Sequence, residues 1–88
     1  MDVEEIKEFL KVDSDDLDGV ISVYQAAAEE YLQNAGVTKD YTKSLYKMIV
    51  TVFCGTLLEN PTLLESKGGL DNVGLTFNAI IAQLRLSQ

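Results

Sequence analysis

Carboxylates are the first side chains in this sequence that could do chemistry. Asp13-Ser14-Asp15-Asp16-Leu17-Asp18 places four of them within six residues, a density suited to holding calcium. A twelve-residue calcium loop beginning at Asp13 would need glycine sixth and a bidentate glutamate twelfth. Asp18 and Tyr24 occupy those positions, so the spacing rejects the loop. Paired carboxylates can also serve as general acid and base, but here they fall on the polar faces of helices, where solvation explains them. No histidine is present, which removes imidazole as a base, a nucleophile activator or a metal ligand. The single cysteine, Cys54, follows Met48-Ile49-Val50-Thr51-Val52-Phe53. It reads as a buried, inert thiol, and a zinc site built from it and carboxylates alone would be unusual. Ser66-Lys67-Gly68-Gly69 inverts the glycine-before-lysine order of a phosphate loop. No catalytic residue, cofactor or metal ligand emerges, and an enzyme is not expected.

The basic residues pose a different question. Lys39, Lys43 and Lys47 recur every four residues, so on a helix they share a face. Two readings stay open. One is a solvated surface. The other is a docking surface for something acidic, and the segment holding Asp13, Asp15, Asp16 and Asp18 in a second copy is an available partner. Opposite patches on different faces of one subunit produce head-to-tail contacts, which close into a ring when the rotation allows. Each exposed pair would contribute only about 0–1 kcal/mol. Charge would therefore set register while apolar burial holds the assembly. Residues 1–18 carry eight acids against two lysines, within a chain of net charge −7. Seven Lys and Arg among fourteen acids argue against nucleic-acid affinity as a main activity. Tyr24 and Tyr31 stand seven apart on an apolar helical face. They read as core, because stacking on single strands would need a basic groove beside them.

The elements that must position these residues are helical. Val3, Ile6, Phe9 and Leu10 share one face of a short first helix over about residues 3–10, with Asp2 and Glu5 spaced as a capping box. Ser14 or Asp13 caps a second helix, and Asp15 and Asp16 fall in its first turn. Leu17, Val20, Ile21, Tyr24, Ala27, Ala28, Tyr31, Leu32 and Ala35 give that helix its period, and Gly36 stops it. Ala26-Ala27-Ala28 would let another helix approach closely. Residues 41–59 admit a strand around Ile49–Phe53 on β-propensity, but nineteen residues of compatible period favour a helix. Leu45, Met48, Ile49, Val52, Phe53, Thr56 and Leu57 form its apolar face. Val50, Cys54 and Leu58 widen that face, making this the central helix. Gly55 marks a close helix crossing, Asp40 a cap, and Pro61 the end. Leu63 and Leu64 add one turn. Phe77, Ile80, Ile81 and Leu84 form a last helix capped by Thr76.

The expected class is all-α: one domain over residues 1–88, with three principal helices, a short N-terminal helix and a long loop before the last. No apolar run reaches the roughly 20 residues of a membrane helix. MDVEEIKEF lacks the basic start of a signal peptide. A soluble protein kept inside a cell is expected, with no membrane contact. An irregular segment as long as residues 59–74 is uncommon in so small a domain. Its Leu63, Leu64, Leu70 and Val73 would be poorly covered in a monomer, which suggests an arm packed on a neighbouring copy.

In order and spacing these residues resemble the tailed-phage head-tail connector (adaptor) family. Leu10-Lys11-Val12-Asp13, then Asp15-Asp16 and Leu17, Val20 and Ile21, resemble its opening turn and acidic helix start. Ala26-Ala27-Ala28 with Tyr31-Leu32 and Gly36 is similar to its second helix and stop. Leu57-Leu58-Glu59-Asn60 resembles the end of its central helix, and Gln83-Leu84-Arg85 the closing motif of members described as possible DNA-packaging proteins. Pro61 departs from the arginine that often follows Glu-Asn in the family, and some members run on past this motif into a tail that docks on the portal. The resemblance implies a structural, non-catalytic subunit that assembles as a ring beneath the portal. It would join portal protein to a tail or head-completion protein and leave a channel through which DNA passes without specific binding. It implies a place in the bacterial host cytoplasm during assembly, or in a prophage-bearing cell, and then at the virion head-tail junction. Gln83, Arg85 and Gln88 are the candidates for portal or tail contact, although Arg85 is also simply a cation well placed at a helix C-terminus. The rival reading is a small cytoplasmic helical interaction module, a homodimer.

Overall fold

The computed structural model describes residues 1–64 and 77–87. Among them the chain is all-helical: α1 (Val3–Leu10), α2 (Asp18–Asn34), α3 (Ser44–Glu59), a 3₁₀ turn (Pro61–Leu64) and α4 (Asn78–Leu86). α3 is the hub, and α1, α2 and α4 all pack on it. Its Tyr46, Ile49, Val50, Phe53, Cys54 and Leu57 have no exposed surface. The β-branched run within it is a helix because the whole sixteen-residue segment turns one broad apolar face to its neighbours. From α2, Ile21, Tyr24, Ala28 and Leu32 meet that face. Ala28 is fully buried, and its methyl size lets the two helix backbones approach. Tyr31, Phe53 and Phe77 extend an aromatic chain through the core, with ring centroids 5.5 and 6.2 Å apart.

Local chemistry explains most helix ends. The Asp2 carboxylate accepts from Glu5 N–H at 2.9 Å, satisfying one of the free amides of the first turn. α1 ends as Lys11 turns left-handed at φ 58°, where Val12 N–H donates to the Lys7 carbonyl at 3.0 Å. Gly36 at φ 91° closes α2, and Val37 N–H returns to Leu32 O at 2.9 Å. A Cβ on Gly55 would lie 3.0 Å from Leu10 Cδ2, so this glycine does mark a close helix crossing, between α1 and α3. Pro61 follows the last residue of α3 by two and opens the 3₁₀ turn.

Several expectations need correcting. α2 starts at Asp18 with Leu17 in the cap position and no side-chain cap. Asp15 is not in its first turn, because its carboxylate is bound to Lys7 instead. α3 starts at Ser44, three residues later than expected. Asp40 accepts from the Thr42 N–H and hydroxyl, closing a tight turn rather than capping the helix. Phe9 is 62% exposed and Met48 and Val20 are also exposed, although each was expected on an inward face. α1 turns Ile6 and Lys7 inward, and Phe9 lies roughly 100° around the helix from the midline of that strip. The expected cap Thr76 lies outside the described residues, and Phe77 stands at the start of α4.

Candidate interaction surface

The lysine series does not form one helical stripe. Lys39 precedes α3, Lys43 sits at its N-cap in extended conformation, and only Lys47 lies within it. Each reaches a partner in its own chain. Lys39 Nζ is 3.5 Å from the Glu29 carboxylate and lies over the Tyr41 ring. Lys43 Nζ donates to the Ser87 carbonyl at 2.9 Å and to its hydroxyl at 3.0 Å. Lys47 Nζ pairs with Glu5 at 3.1 Å. Lys47 and Lys43 therefore fasten α1 and the end of α4 to the body, while Lys39 ties the chain leading to α3 back onto α2.

The acidic segment is divided between two environments. Asp15 and Asp18 gather with Glu4 around the Lys7 ammonium, at 2.7, 2.9 and 3.6 Å. Lys7 itself is only 4% exposed. Hydrogen bonds to Asp15 and then to Asp18 hold the Lys7 ammonium well above its ordinary pKa, against the opposing effect of desolvation. The same bond holds the Asp15 carboxyl below its ordinary range. Glu4, Asp15 and Asp18 are close enough to share a metal ion, but the Lys7 ammonium already stands among them. Asp13 and Asp16 are exposed, and neither has an ion-pair partner among the described residues.

At the other end of the chain, Arg85 lies across the α2–α3 connection. Its stem passes so close to Gly36 that a Cβ there would sit 3.1 Å from Cδ, and Nη1 donates to Ala35 O at 3.5 Å. Gln83 is exposed. Leu86 is 88% exposed. Leu63 and Leu64 belong to the 3₁₀ turn, while Leu70, Val73 and Gln88 lie outside the described residues.

One polar network was not anticipated. Tyr41 hydroxyl donates to Glu29, and Gln25 Nε2 donates to Tyr41 at 3.1 Å and to Met1 O at 3.0 Å. These groups line an open hollow of about 410 Å3 between α2 and the chain leading to α3. Burial, then the bond to Glu29, pushes the Tyr41 phenol well up. Burial, with Glu29 second, pushes the Cys54 thiol up to about 11. A thiol so raised and enclosed is a poor nucleophile. Neighbouring Tyr46 is pushed up to about 12 by the same causes, and its hydroxyl has no hydrogen-bond partner among the described residues.

Two further features escaped sequence reasoning. Lys7 entered only the charge count of residues 1–18, and its spacing to Asp15 carries no local signal. Val23 was assigned to no face, and it is 61% exposed; three residues after Val20, it extends an apolar strip along the outside of α2.

A family model described as phage gp6-like head-tail connector protein matches residues 1–85. Neither a curated protein nor a solved structure matches the chain.

Proposed function

Because the chain belongs to the family of phage gp6-like head-tail connector proteins, we propose that it is a subunit of a ring at the junction of phage head and tail. The ring joins the portal to a tail or head-completion protein and leaves a channel for DNA. The single observation that carries this reading is the family match over residues 1–85. Phe9, Val23, Met48 and Leu86 are exposed on α1, α2, α3 and α4, and neighbouring subunits would cover such side chains. A net charge of −7 suits a channel wall along which DNA slides, since few cations are available to displace its counterions.

In this reading the arm of residues 61–74, with Leu63, Leu64, Leu70 and Val73, packs on the adjacent subunit. Gln83, Arg85 and Gln88 face the portal or tail. Contacts between Lys39, Lys43 and Lys47 and the acids Asp13, Asp15, Asp16 and Asp18 of a neighbour would exchange for the internal pairs of those lysines and of Asp15 and Asp18. Such an exchange lets assembly remodel the outer helices without adding net charge.

The test is electron microscopy of the purified chain mixed with the portal protein of the same phage. A ring of density beneath the portal is expected, present only when both proteins are mixed. A chain that remains a free dimer at every portal concentration would replace the connector reading with that of a small interaction module.

A further inference from the structure

The outward face of α2 is not accounted for by the core, and the lysine–carboxylate contacts proposed between ring subunits do not cover its valines. Val20 and Val23 stand exposed on it, with Leu17 just before the helix. Nothing lies within 4 Å of a Cβ built on Gly19, and Ala26 continues the strip, also exposed. The result is a low apolar track that a second helix can approach closely. Both ends are acidic: Asp13 and Asp16 are exposed at one, Glu30 at the other. None of these three has an ion-pair partner among the described residues. From Asp16 to Glu30 the track runs roughly 20 Å, about four helical turns.

We propose that this face receives an amphipathic helix of another protein, apolar along its contact side and basic near both ends. The apolar middle supplies burial, and the free carboxylates select positive ends and fix register. A second copy does not fit. Antiparallel pairing of two α2 faces sets Asp16 against Glu30, and parallel pairing sets each acid against itself. The other described helices offer no substitute, because none carries exposed cations near both ends: Lys7 is buried in α1 with Lys11 just past it, Lys43 and Lys47 both stand at the start of α3, and α4 has only Arg85, in its last turn. This inference goes beyond the connector reading: where the partner helix sits on this face, its cations take the place at Asp13 and Asp16 that a neighbour's lysines would have.

The probe is a synthetic helical peptide of about 16 residues, leucine and alanine on one side with two lysines near each end. A control peptide carries glutamates in place of the lysines. Saturable binding of the basic peptide is expected, with amide shifts concentrated in residues 17–30 and weakening as salt rises. Val23→Lys should weaken it about tenfold or more while circular dichroism stays unchanged, and Asp16→Lys with Glu30→Lys should reverse the preference between peptides. Absence of saturable binding, shifts elsewhere, or equal binding of both peptides would overturn the proposal. So would self-association of the free chain that Val23→Lys abolishes, since the occupant would then be a second copy. The intact portal separates this from the connector reading: portal binding by the unaltered chain without saturable binding of the basic peptide leaves the connector standing and sinks this proposal. Binding of the basic peptide without any portal binding does the reverse.

Discussion

α1 and α4 flank the same central helix, yet they are fastened to the body by different chemistry. Each has a fully or nearly buried apolar anchor, Ile6 in α1 and Ile81 with Leu84 in α4. Around that anchor α1 uses charge on charge: Lys7 among Glu4, Asp15 and Asp18, and Glu5 with Lys47. α4 uses cations on uncharged oxygens: Lys43 on the Ser87 carbonyl and hydroxyl, and Arg85 on the Ala35 carbonyl. Carbonyls do not titrate and carboxylates do. The two ends of the chain should therefore answer acid differently, although both rest on α3.

The largest effect should come from the support they share. Phe53→Ala opens a cavity in the core face of α3, where its ring meets Tyr31 and Phe77, and should cost roughly 3–5 kcal/mol, measured by urea unfolding. Exchange protection should fall in α1 and α4 together; loss confined to one of them would mean that α3 is not their common base.

Acidification should separate them. The Asp15 carboxyl is held below its ordinary 3.8, so its contribution is present above that pH and vanishes as pH falls through the folded value. Lys7, held above its ordinary 10.5, contributes below that value and is lost only as alkali passes its folded value. Below about pH 4, amides of α1 should therefore exchange sooner than those of α4. Lys7→Met keeps the length of the side chain and leaves the carboxylates free to hydrate, and it should flatten this difference. An unchanged acid profile in that variant would remove Lys7 from the account.

A smaller change tests the other fastening. Gly36→Ala forces an L-residue to φ 91° and crowds the Arg85 stem at 3.1 Å. A loss of about 1–2 kcal/mol, with faster exchange in α4 and none in α1, is expected by hydrogen exchange. The smallest effect belongs to Tyr46→Phe. Removing a buried hydroxyl that has no partner among the described residues should shift stability by less than about 1 kcal/mol, in the stabilising direction. A clear loss in thermal melting would reveal a partner for that hydroxyl.

What was legible in the sequence follows from how local each signal is. The Asp2 cap, the Gly36 stop and the long apolar period of α3 each lie within one element, and each is present in the fold. The start of α2 was misplaced because Asp15, expected in its first turn, binds Lys7, eight residues away. Periodicity assigned Phe9 and Met48 inward because it gives the direction of an apolar face but not its width. The strip on α2 was half visible: the alanines suggested a close approach, while Val23, outside the core period, was the residue to ask about. The lysine spacing was read correctly as a regularity and misjudged as geometry, since α3 begins only after Lys43.

The bare backbone at Gly55 has a consequence for reversibility. Leu10 sits in the notch left by Gly55, so the seat of α1 is keyed by shape as well as by charge. If acid releases the ionic fastenings and neutral pH restores them, the helix should return to the same seat, because the notch does not depend on protons.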